Sequence, residues 1–339
     1  MELASNHFQS LNRDLVVNIM TRLHGRTLAA VASTCIDLRD AAEDERLWRK
    51  LCHDMWPSTS MRLLPMHKPE GFKRLYISAF PLILYQPTTK VPEDIPTCTT
   101  PDSPSDFISF IDIYYKNLCI FSQVVDGLTE STSKTCNDNF KQFFCFPFKL
   151  DWLGQRHSTL PSSVSLGHED QDNLCNKIVG NIRLSWILYD KTKSRAVNIS
   201  SWKPRSIDRS NPSEQSFIIC FGSAITSDHT LAECVITAKC EVMIRQECVI
   251  RWKGITLVIK DVNGSHLNGE QSMIVVKQAL FCSRSVNHDM VELGYKEFCK
   301  KKVELKLRDE EDETLANMLS ATIAIASLLG ICYACATLL

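Results

Sequence analysis

The chain has few residues whose type and spacing could support catalysis or metal binding. Cys332 and Cys335 have the CxxC spacing of a zinc or redox pair, but they lie in an uncharged apolar stretch without a second pair. His229, Cys234 and Cys240 lack metal-ligand spacing, and the two cysteines fit the alternation of a half-buried strand. P-loop, dinucleotide-binding, HExxH and GxSxG motifs are all absent from the sequence. A catalytic site assembled from distant residues would leave no such motif, but nothing motivates one, so we expect a non-enzyme without a cofactor.

Apolar residues near the N-terminus are spaced for three short helices. Their apolar positions are Leu11, Leu15, Ile19 and Leu23 in the first helix, Leu28, Val31 and Cys35 in the second, and Leu47, Trp48, Leu51 and Met55 in the third. The four-residue step keeps the first set on one helical face. Asn12, Thr27 and Asp44 are predicted to cap the three helices, and Gly25 to end the first. Helices this short bury too little apolar area for a stable core, so a partner or a neighbouring domain must cover the remainder.

The order and spacing of these residues resemble the F-box. The matching positions are Leu11, Leu15, Ile19, Leu23, Leu28, Val31, Cys35, Leu47 and Trp48. Asn12 replaces the usual Pro of the family, and the Trp common after the Cys position is absent, with Leu38 and Arg39 nearby. The resemblance places an F-box at residues 8–58. The alternative is an ordinary three-helix subdomain whose Leu and Trp residues are simply core.

An F-box implies the substrate receptor of a Skp–cullin–F-box ubiquitin ligase. In such a receptor the F-box docks apolar side chains on a Skp-type adaptor, which connects it to a cullin, and the C-terminal domain holds a target protein. The resemblance therefore assigns adaptor binding to the nine matching residues, and it assigns no metal, no cofactor and no catalytic residue. The target itself is not identified by the sequence.

Composition and charge exclude several other classes of protein. A formal net charge of −1 over 339 residues argues against nucleic-acid binding, which normally requires a basic excess. The N-terminus has neither the basic start nor the apolar run of a secretory signal. The 15 scattered cysteines do not form a disulfide framework and suit a reducing compartment. We expect a chain that faces the cytosol, in the cytoplasm or the nucleus.

The segment after the F-box is predicted to connect it to a second domain. Residues 59–85 form a helical connector, in which a helix from Gly71 is stopped by Pro81. Residues 86–106 carry five prolines with many Thr and Ser residues, a composition typical of a linker or a long surface loop.

Residues 107–287 are predicted to form a β-rich domain, because the apolar period changes from 3.6 to 2. FISFIDIYY and LCIFSQVV are separated by the turn Lys116-Asn117, and NIRLSWILYD can form a hairpin with RAVNIS. A phase change at Gly254 indicates a β-bulge or a bend. Short turns predict an antiparallel sandwich or half-barrel, and hence an α+β fold. The region resembles the C-terminal part of plant F-box proteins that lack leucine-rich and kelch repeats.

The C-terminus is predicted to be helical in two parts. Residues 288–314 are strongly charged, whereas residues 315–339 carry no charge at all. Twenty-five uncharged residues could cross a bilayer as a tail anchor, which would make a membrane a further partner. The alternatives are a helix packed back on the β-rich domain, or a helix that binds a partner.

Two other functions remain open from the sequence. One is a tail-anchored scaffold whose helices bind something other than the adaptor. The other is a sugar-binding, lectin-like F-box protein, in which Trp202 or Trp252 would stack on the sugar, although a core position suits both residues better.

Overall fold

The computed structural model describes residues 12–61, 71–87, 103–128, 143–152, 156–160, 171–211, 215–226, 231–244 and 247–338, and the side chains of 329–338 are not part of this description. The helices in these residues are α1 Arg13–Met20, α2 Gly25–Ala32, α3 Ile36–Ala42, α4 Glu45–Met55, α5 Gly71–Ala79, α6 Gln171–Gly180, α7 Gly269–Ala279 and α8 His288–Leu338. Short 3-10 turns form at Pro57–Ser60 and Pro104–Asp106. Most of the predicted 86–106 linker lies outside the described residues.

The strands make the second half of the chain β-rich, which confirms the predicted α+β fold. They are β1 Leu82–Ile83, β2 Phe107–Tyr115, β3 Leu118–Asp126, β4 Lys149–Trp152, β5 Arg156–Thr159, β6 Ile182–Asp190, β7 Arg195–Asn198, β8 Ser206–Asn211, β9 Ser216–Thr226, β10 Leu231–Ile244, β11 Cys248–Asp261 and β12 Arg284–Ser285. The first strand lies inside the predicted connector 59–85, so the connector supplies a strand as well as a helix.

Capping explains where the N-terminal helices begin. The side-chain oxygen of Asn12 accepts from the backbone N–H of Asp14 at 3.0 Å, and that of Asp44 accepts from the N–H of Arg46 at 2.9 Å. Both predicted caps are therefore confirmed. The prediction for Thr27 is wrong, because α2 already begins at Gly25, which starts this helix and does not end the previous one.

Residues 12–61 form four helices where the sequence predicted three. The predicted second helix is divided between Ala32 and Ile36. At the break, the hydroxyls of Ser33 and Thr34 donate to the carbonyls of Ala30 and Val31 at 2.6 and 2.7 Å. Such side-chain bonds to the backbone compete with continued helix and favour a turn.

The strands form two sheets that pack face to face. Sheet 1 has the order β12-β1-β7-β6-β2-β3, and sheet 2 has the order β4-β11-β10-β9-β8 with β5 also paired to β11. The main core contains residues of both sheets, such as Trp186 from sheet 1 and Trp252 from sheet 2. The structure is thus the predicted sandwich, and the pairing is antiparallel except between β1 and β7.

Two features of the sheets were predicted at the level of single residues. The turn between β2 and β3 falls at Lys116 and Asn117, and Lys116 has a positive φ of 55°. In β11, Gly254 pairs with Lys239 while Trp252 pairs with Cys240, so Lys253 is an extra residue between them. This is the predicted bulge, and it turns Ile255 to the same core that Trp252 enters.

Two helices of the second domain were not predicted. The α6 sequence QDNLCNKIVG is polar and only weakly patterned, which hides its buried residues Cys175, Ile178 and Val179. Asn-Gly pairs commonly form turns, but here Asn268 caps α7. Its side chain accepts from Gln271 N at 2.9 Å, and the Gln271 side chain accepts from Asn268 N at 3.3 Å.

The N-terminal helices share a core with sheet 1. We call α1–α5 together with the turn Pro57–Ser60 the helical module. Its buried residues, including Trp48 and Tyr76, form one apolar cluster with Ile108 and Phe110 of β2 and Ile187 of β6. Because the other face of sheet 1 packs on sheet 2, the molecule has three layers. This sheet covers the apolar surface that a three-helix unit could not bury alone.

A buried carboxylate fastens the helical module to sheet 1. Asp112 of β2 is fully buried, and it accepts from Ser58 N at 2.9 Å, Ser58 Oγ at 2.5 Å and Ser122 Oγ at 2.6 Å. Beside it, the hydroxyl of Tyr114 donates to the carbonyl of Met55 at the end of α4. Burial raises the pKa of Asp112 to about 6, although the hydrogen bonds from Ser122 and Ser58 oppose that shift.

Helix α8 is anchored at its beginning and projects at its end. Phe298 is fully buried, the guanidinium of Arg205 lies 3.9 Å from the ring centroid of Tyr295, and Lys302 pairs with Glu233 at 2.8 Å. The helix then continues without a break through the predicted boundary at 314.

The apolar side chains of the projecting part are exposed. Those at Leu315, Met318, Leu319, Ile323, Ile325 and Leu328 are 56–66% exposed. The alternative that residues 315–328 pack back on the β-rich domain is therefore wrong. Within the part of the chain that the structure describes, no helix combines the length and the apolar character needed to cross a membrane. The tail-anchor prediction is not supported.

We expect Asp112→Asn to remove a pH dependence of stability. The pKa of Asp112 is raised from 3.8 to about 6 in the folded protein, so the folded state holds this proton more tightly than the unfolded state. The stabilisation is complete below about pH 4 and is lost as the pH rises to about 6, a change of up to roughly 3 kcal/mol. Asn mimics the neutral acid, so the variant gains stability over the wild type across that interval.

Urea unfolding at about pH 4 and about pH 6.5 measures this difference. Asp208→Asn, at an exposed carboxylate of β8, is the matched control and should not show the same change. A difference between wild type and Asp112→Asn that stays constant with pH would contradict this account of Asp112.

Candidate functional site

The helical module presents an apolar face to solvent. Leu15 and Ile19 of α1 are 49% and 55% exposed, whereas Val17 and Met20 on the opposite side enter the core. The four-residue spacing stacks Leu15 and Ile19 on one face. Ile36, at the start of α3, is 70% exposed. Burying such a side chain fully against a partner stabilises a complex by about 1.5–3 kcal/mol.

The other predicted site residues differ in how deeply they are buried. Cys35 is exposed, and Leu23 and Val31 are partly buried. Leu28, Leu47 and Trp48 are at most 2% exposed, so they lie beneath the surface and hold the helices that carry it. Leu11 lies outside the described residues.

Trp48 shows how these buried residues support the exposed face. Its indole N–H donates to the carbonyl of Ala42 at 2.7 Å, which fixes the end of α3 against α4. Its ring centroid lies 5.5 Å from that of Tyr76 on α5. Glu45 of α4 accepts from the N–H of Phe72 at 2.6 Å, at the start of α5. The connector helix is therefore an integral part of the helical module.

A close approach between α2 and α5 constrains Gly25. A Cβ atom at this position would lie 2.3 Å from the ring of Tyr76. That ring cannot move aside easily, because it is buried and stacked on Phe80 at 5.1 Å. Glycine is needed here for space.

The ionisable groups of the helical module have structural roles. The Arg46 guanidinium hydrogen-bonds the cap residue Asp44 and lowers the pKa of that carboxyl. Burial raises the pKa of the Cys52 thiol far above its usual range, so it remains an unreactive core residue. Among the described residues there is no group of His, Cys, Asp and Glu that could hold a metal ion.

Ile36 was not identified from the sequence. It follows Cys35, the last residue assigned to the predicted second helix, and in the structure it begins α3. The sequence signal for its separate position is the pair Ser33 and Thr34, whose side chains end α2 just before Ile36.

The two tryptophans considered for sugar stacking are in different environments. Trp252 is fully buried, and its indole donates to Ser158 Oγ at 3.0 Å, so it is core. Trp202 is partly buried, with its ring 5.1 Å from that of Tyr114. Trp252 therefore cannot stack on a sugar, and the Trp202 ring packs against Tyr114.

Comparisons with known proteins support the resemblance to the F-box. Residues 10–54 match the F-box-like family. F-box protein At3g44326 of Arabidopsis thaliana is 30% identical over 279 residues, which cover 79% of this chain and 72% of that protein. The chain belongs to the F-box protein family. No solved structure matches it.

Two other Arabidopsis thaliana relatives extend the similarity over most of this F-box protein. Probable F-box protein At2g36090 is 28% identical over 91% of this chain and 86% of its own length, and F-box protein At2g27310 is 26% identical over 90% and 89%. The similarity therefore includes the β-rich domain. This confirms the resemblance to plant F-box proteins with a β-rich C-terminal region.

Gly25→Ala should destabilise this F-box protein. The added methyl group would overlap the Tyr76 ring, and overpacking of this kind costs about 1–3 kcal/mol. Gly180→Ala on α6 is the matched control, because a Cβ there would have no neighbour within 4 Å. It should be neutral or stabilising by up to about 1 kcal/mol. Urea unfolding that gives equal stabilities for the two variants would refute the close packing at Gly25.

Proposed function

We propose that this protein is the substrate-recognition subunit of a Skp–cullin–F-box ubiquitin ligase. The observation that carries the proposal is the solvent-facing pair Leu15 and Ile19 within a segment that matches the F-box-like family. A large apolar face that the fold leaves exposed marks a surface for protein association. Leu15, Ile19 and Ile36 are the contacts that we assign to the Skp-type adaptor, with Leu23, Val31 and Cys35 beside them.

The receptor itself would do no chemistry. Its F-box would bind the adaptor and thereby a cullin, while the β-rich domain holds the target protein near the ubiquitin-loaded enzyme. A lysine tethered in this way meets the activated thioester at an effective concentration of about millimolar or higher. The shared core of the helical module and sheet 1 supports this role, because it packs the adaptor-binding face and the target-binding domain into one unit.

A reducing compartment fits the described thiols. The described cysteines are free, and several are buried in the sheets, such as Cys234 and Cys240. Free buried cysteines behave as small apolar residues and persist where disulfides do not form. We therefore propose that the receptor acts on the cytosolic or nuclear side.

Replacing Leu15 and Ile19 together by Ala should abolish tight adaptor binding. Truncating a fully buried Leu or Ile costs about 2–5 kcal/mol, so the two changes should weaken the affinity by at least roughly a thousandfold. Both side chains are exposed in the free protein, so the fold should survive. Calorimetric titration with a purified Skp-type adaptor measures the change.

Ile274→Ala is the matched control for this experiment. Ile274 lies on α7 and is 49% exposed, similar to Leu15, but it is outside the F-box. Its affinity for the adaptor should equal that of the wild type. If the Leu15 and Ile19 variant keeps its circular dichroism spectrum and binds the adaptor as well as the control does, the adaptor assignment is wrong and the scaffold alternative is favoured.

A further inference from the structure

A groove on the helical module lies apart from the Leu15 and Ile19 face. It has a volume of about 460 Å³ and runs between α2 and α5, with the end of α3 at one side. Its walls are largely apolar and come from Ala29, Ala32, Ala42, Tyr76, Phe80 and Pro81. At its edge, Ile77 is 56% exposed. The groove thus offers an apolar surface that the described chain leaves uncovered.

The groove is preformed by packed aromatic rings. The rings of Tyr76 and Phe80 are stacked with centroids 5.1 Å apart, and Tyr76 also contacts Trp48 and Trp56 at 5.5 and 5.8 Å. These contacts hold the wall in place, so a ligand would not have to order it.

The rim of the groove carries a surplus of positive charge. Lys73 and Glu43 neutralise each other as an ion pair at 2.5 Å. Arg26 and Arg39 also line the groove, and among the described residues neither guanidinium has a carboxylate partner. Arg39 donates only a long hydrogen bond of 3.4 Å to the carbonyl of Ala32. The groove is therefore complementary to an apolar helix that carries carboxylates.

The projecting part of α8 is a helix of this kind. Leu315, Met318 and Leu319 share one face and are 56–65% exposed. Glu311 and Asp312 precede Leu315 by one turn on that face, and neither has an ion-pair partner within the described residues. The same chain thus leaves two complementary surfaces uncovered, one acidic and apolar, the other basic and apolar.

We propose that α8 of one copy docks in the groove of a second copy. Leu315, Met318 and Leu319 would fill the apolar groove, while Glu311 and Asp312 pair with Arg26 and Arg39. The segment from Val303 to Leu328 extends about 39 Å at 1.5 Å per residue, which is long enough to reach another molecule.

The helix belongs to the neighbouring copy because its own groove is out of reach. α8 is continuous to Leu338, and its base is held by Phe298 and by Lys302 paired with Glu233. A helix without a break cannot turn back on its own module. Reciprocal docking of two copies closes a twofold dimer in which each copy supplies both surfaces.

Charge reversal in trans tests this dimer in the full-length protein. One variant, Arg26→Glu with Arg39→Glu, reverses the groove, and a second, Glu311→Lys with Asp312→Lys, reverses the helix. By light scattering over a concentration series, the wild type should be a dimer, and each variant alone should dissociate at least tenfold more readily. An equimolar mixture should recover association, because the reversed groove now matches the reversed helix.

The control Lys239→Glu with Lys296→Glu makes the same change in charge at exposed sites outside the groove, and it should dimerise like the wild type. A wild type that is monomeric at every concentration overturns the proposal. A dimer that survives reversal of the groove also overturns it, because it would indicate that the apolar helices pair with each other. A mixture that fails to recover association overturns it as well. Adaptor binding, measured separately through Leu15 and Ile19, does not depend on these outcomes.

Discussion

The hydrogen bonds between the turn Pro57–Ser60 and the buried carboxylate of Asp112 connect the two halves of this protein. A carboxylate with no exposure is stable only when its oxygens are satisfied, and Ser58 supplies two of the three donors. The turn that follows the matched F-box residues 10–54 is therefore bonded directly to sheet 1. Around it, Tyr76 and Trp48 on one side and Ile108 and Phe110 on the other form one apolar cluster. This arrangement turns a marginal helical unit into part of a three-layer fold.

The shared core determines which surfaces remain for function. Sheet 1 covers the side of the helical module that bears the aromatic cluster, so α1 directs Leu15 and Ile19 outward. A face of this kind is costly for the free protein and useful in a complex, since burial against a partner recovers the apolar free energy. At the C-terminus, buried Phe298 holds the beginning of α8 against the β-rich domain, and the rest of the helix projects from it. Exposed apolar surfaces thus occur on α1 and on the projecting part of α8.

Local features were predictable from the sequence, whereas partnerships between distant segments were not. The caps Asn12 and Asp44, the Lys116-Asn117 turn and the bulge at Gly254 each depend on a few neighbouring residues, and each was predicted. The four-residue spacing found the apolar residues of α1 but could not show that Val17 and Met20 face the core while Leu15 and Ile19 face solvent. That orientation depends on sheet 1, as does the Ser58–Asp112 contact, which joins residues 54 positions apart. The cap at Asn268 is ambiguous in the sequence, because an Asn-Gly pair serves both turns and helix caps.

Native-state hydrogen exchange tests most directly whether the F-box and sheet 1 share one core. Because Trp48 on α4 and Ile187 on β6 belong to the same cluster, the slowest amides of these two elements should open with the same free energy. They should also show the same dependence on denaturant. If the amides of α4 exchange through a separate opening of lower free energy while those of β6 stay protected, the helical module is an independent unit and the account is wrong.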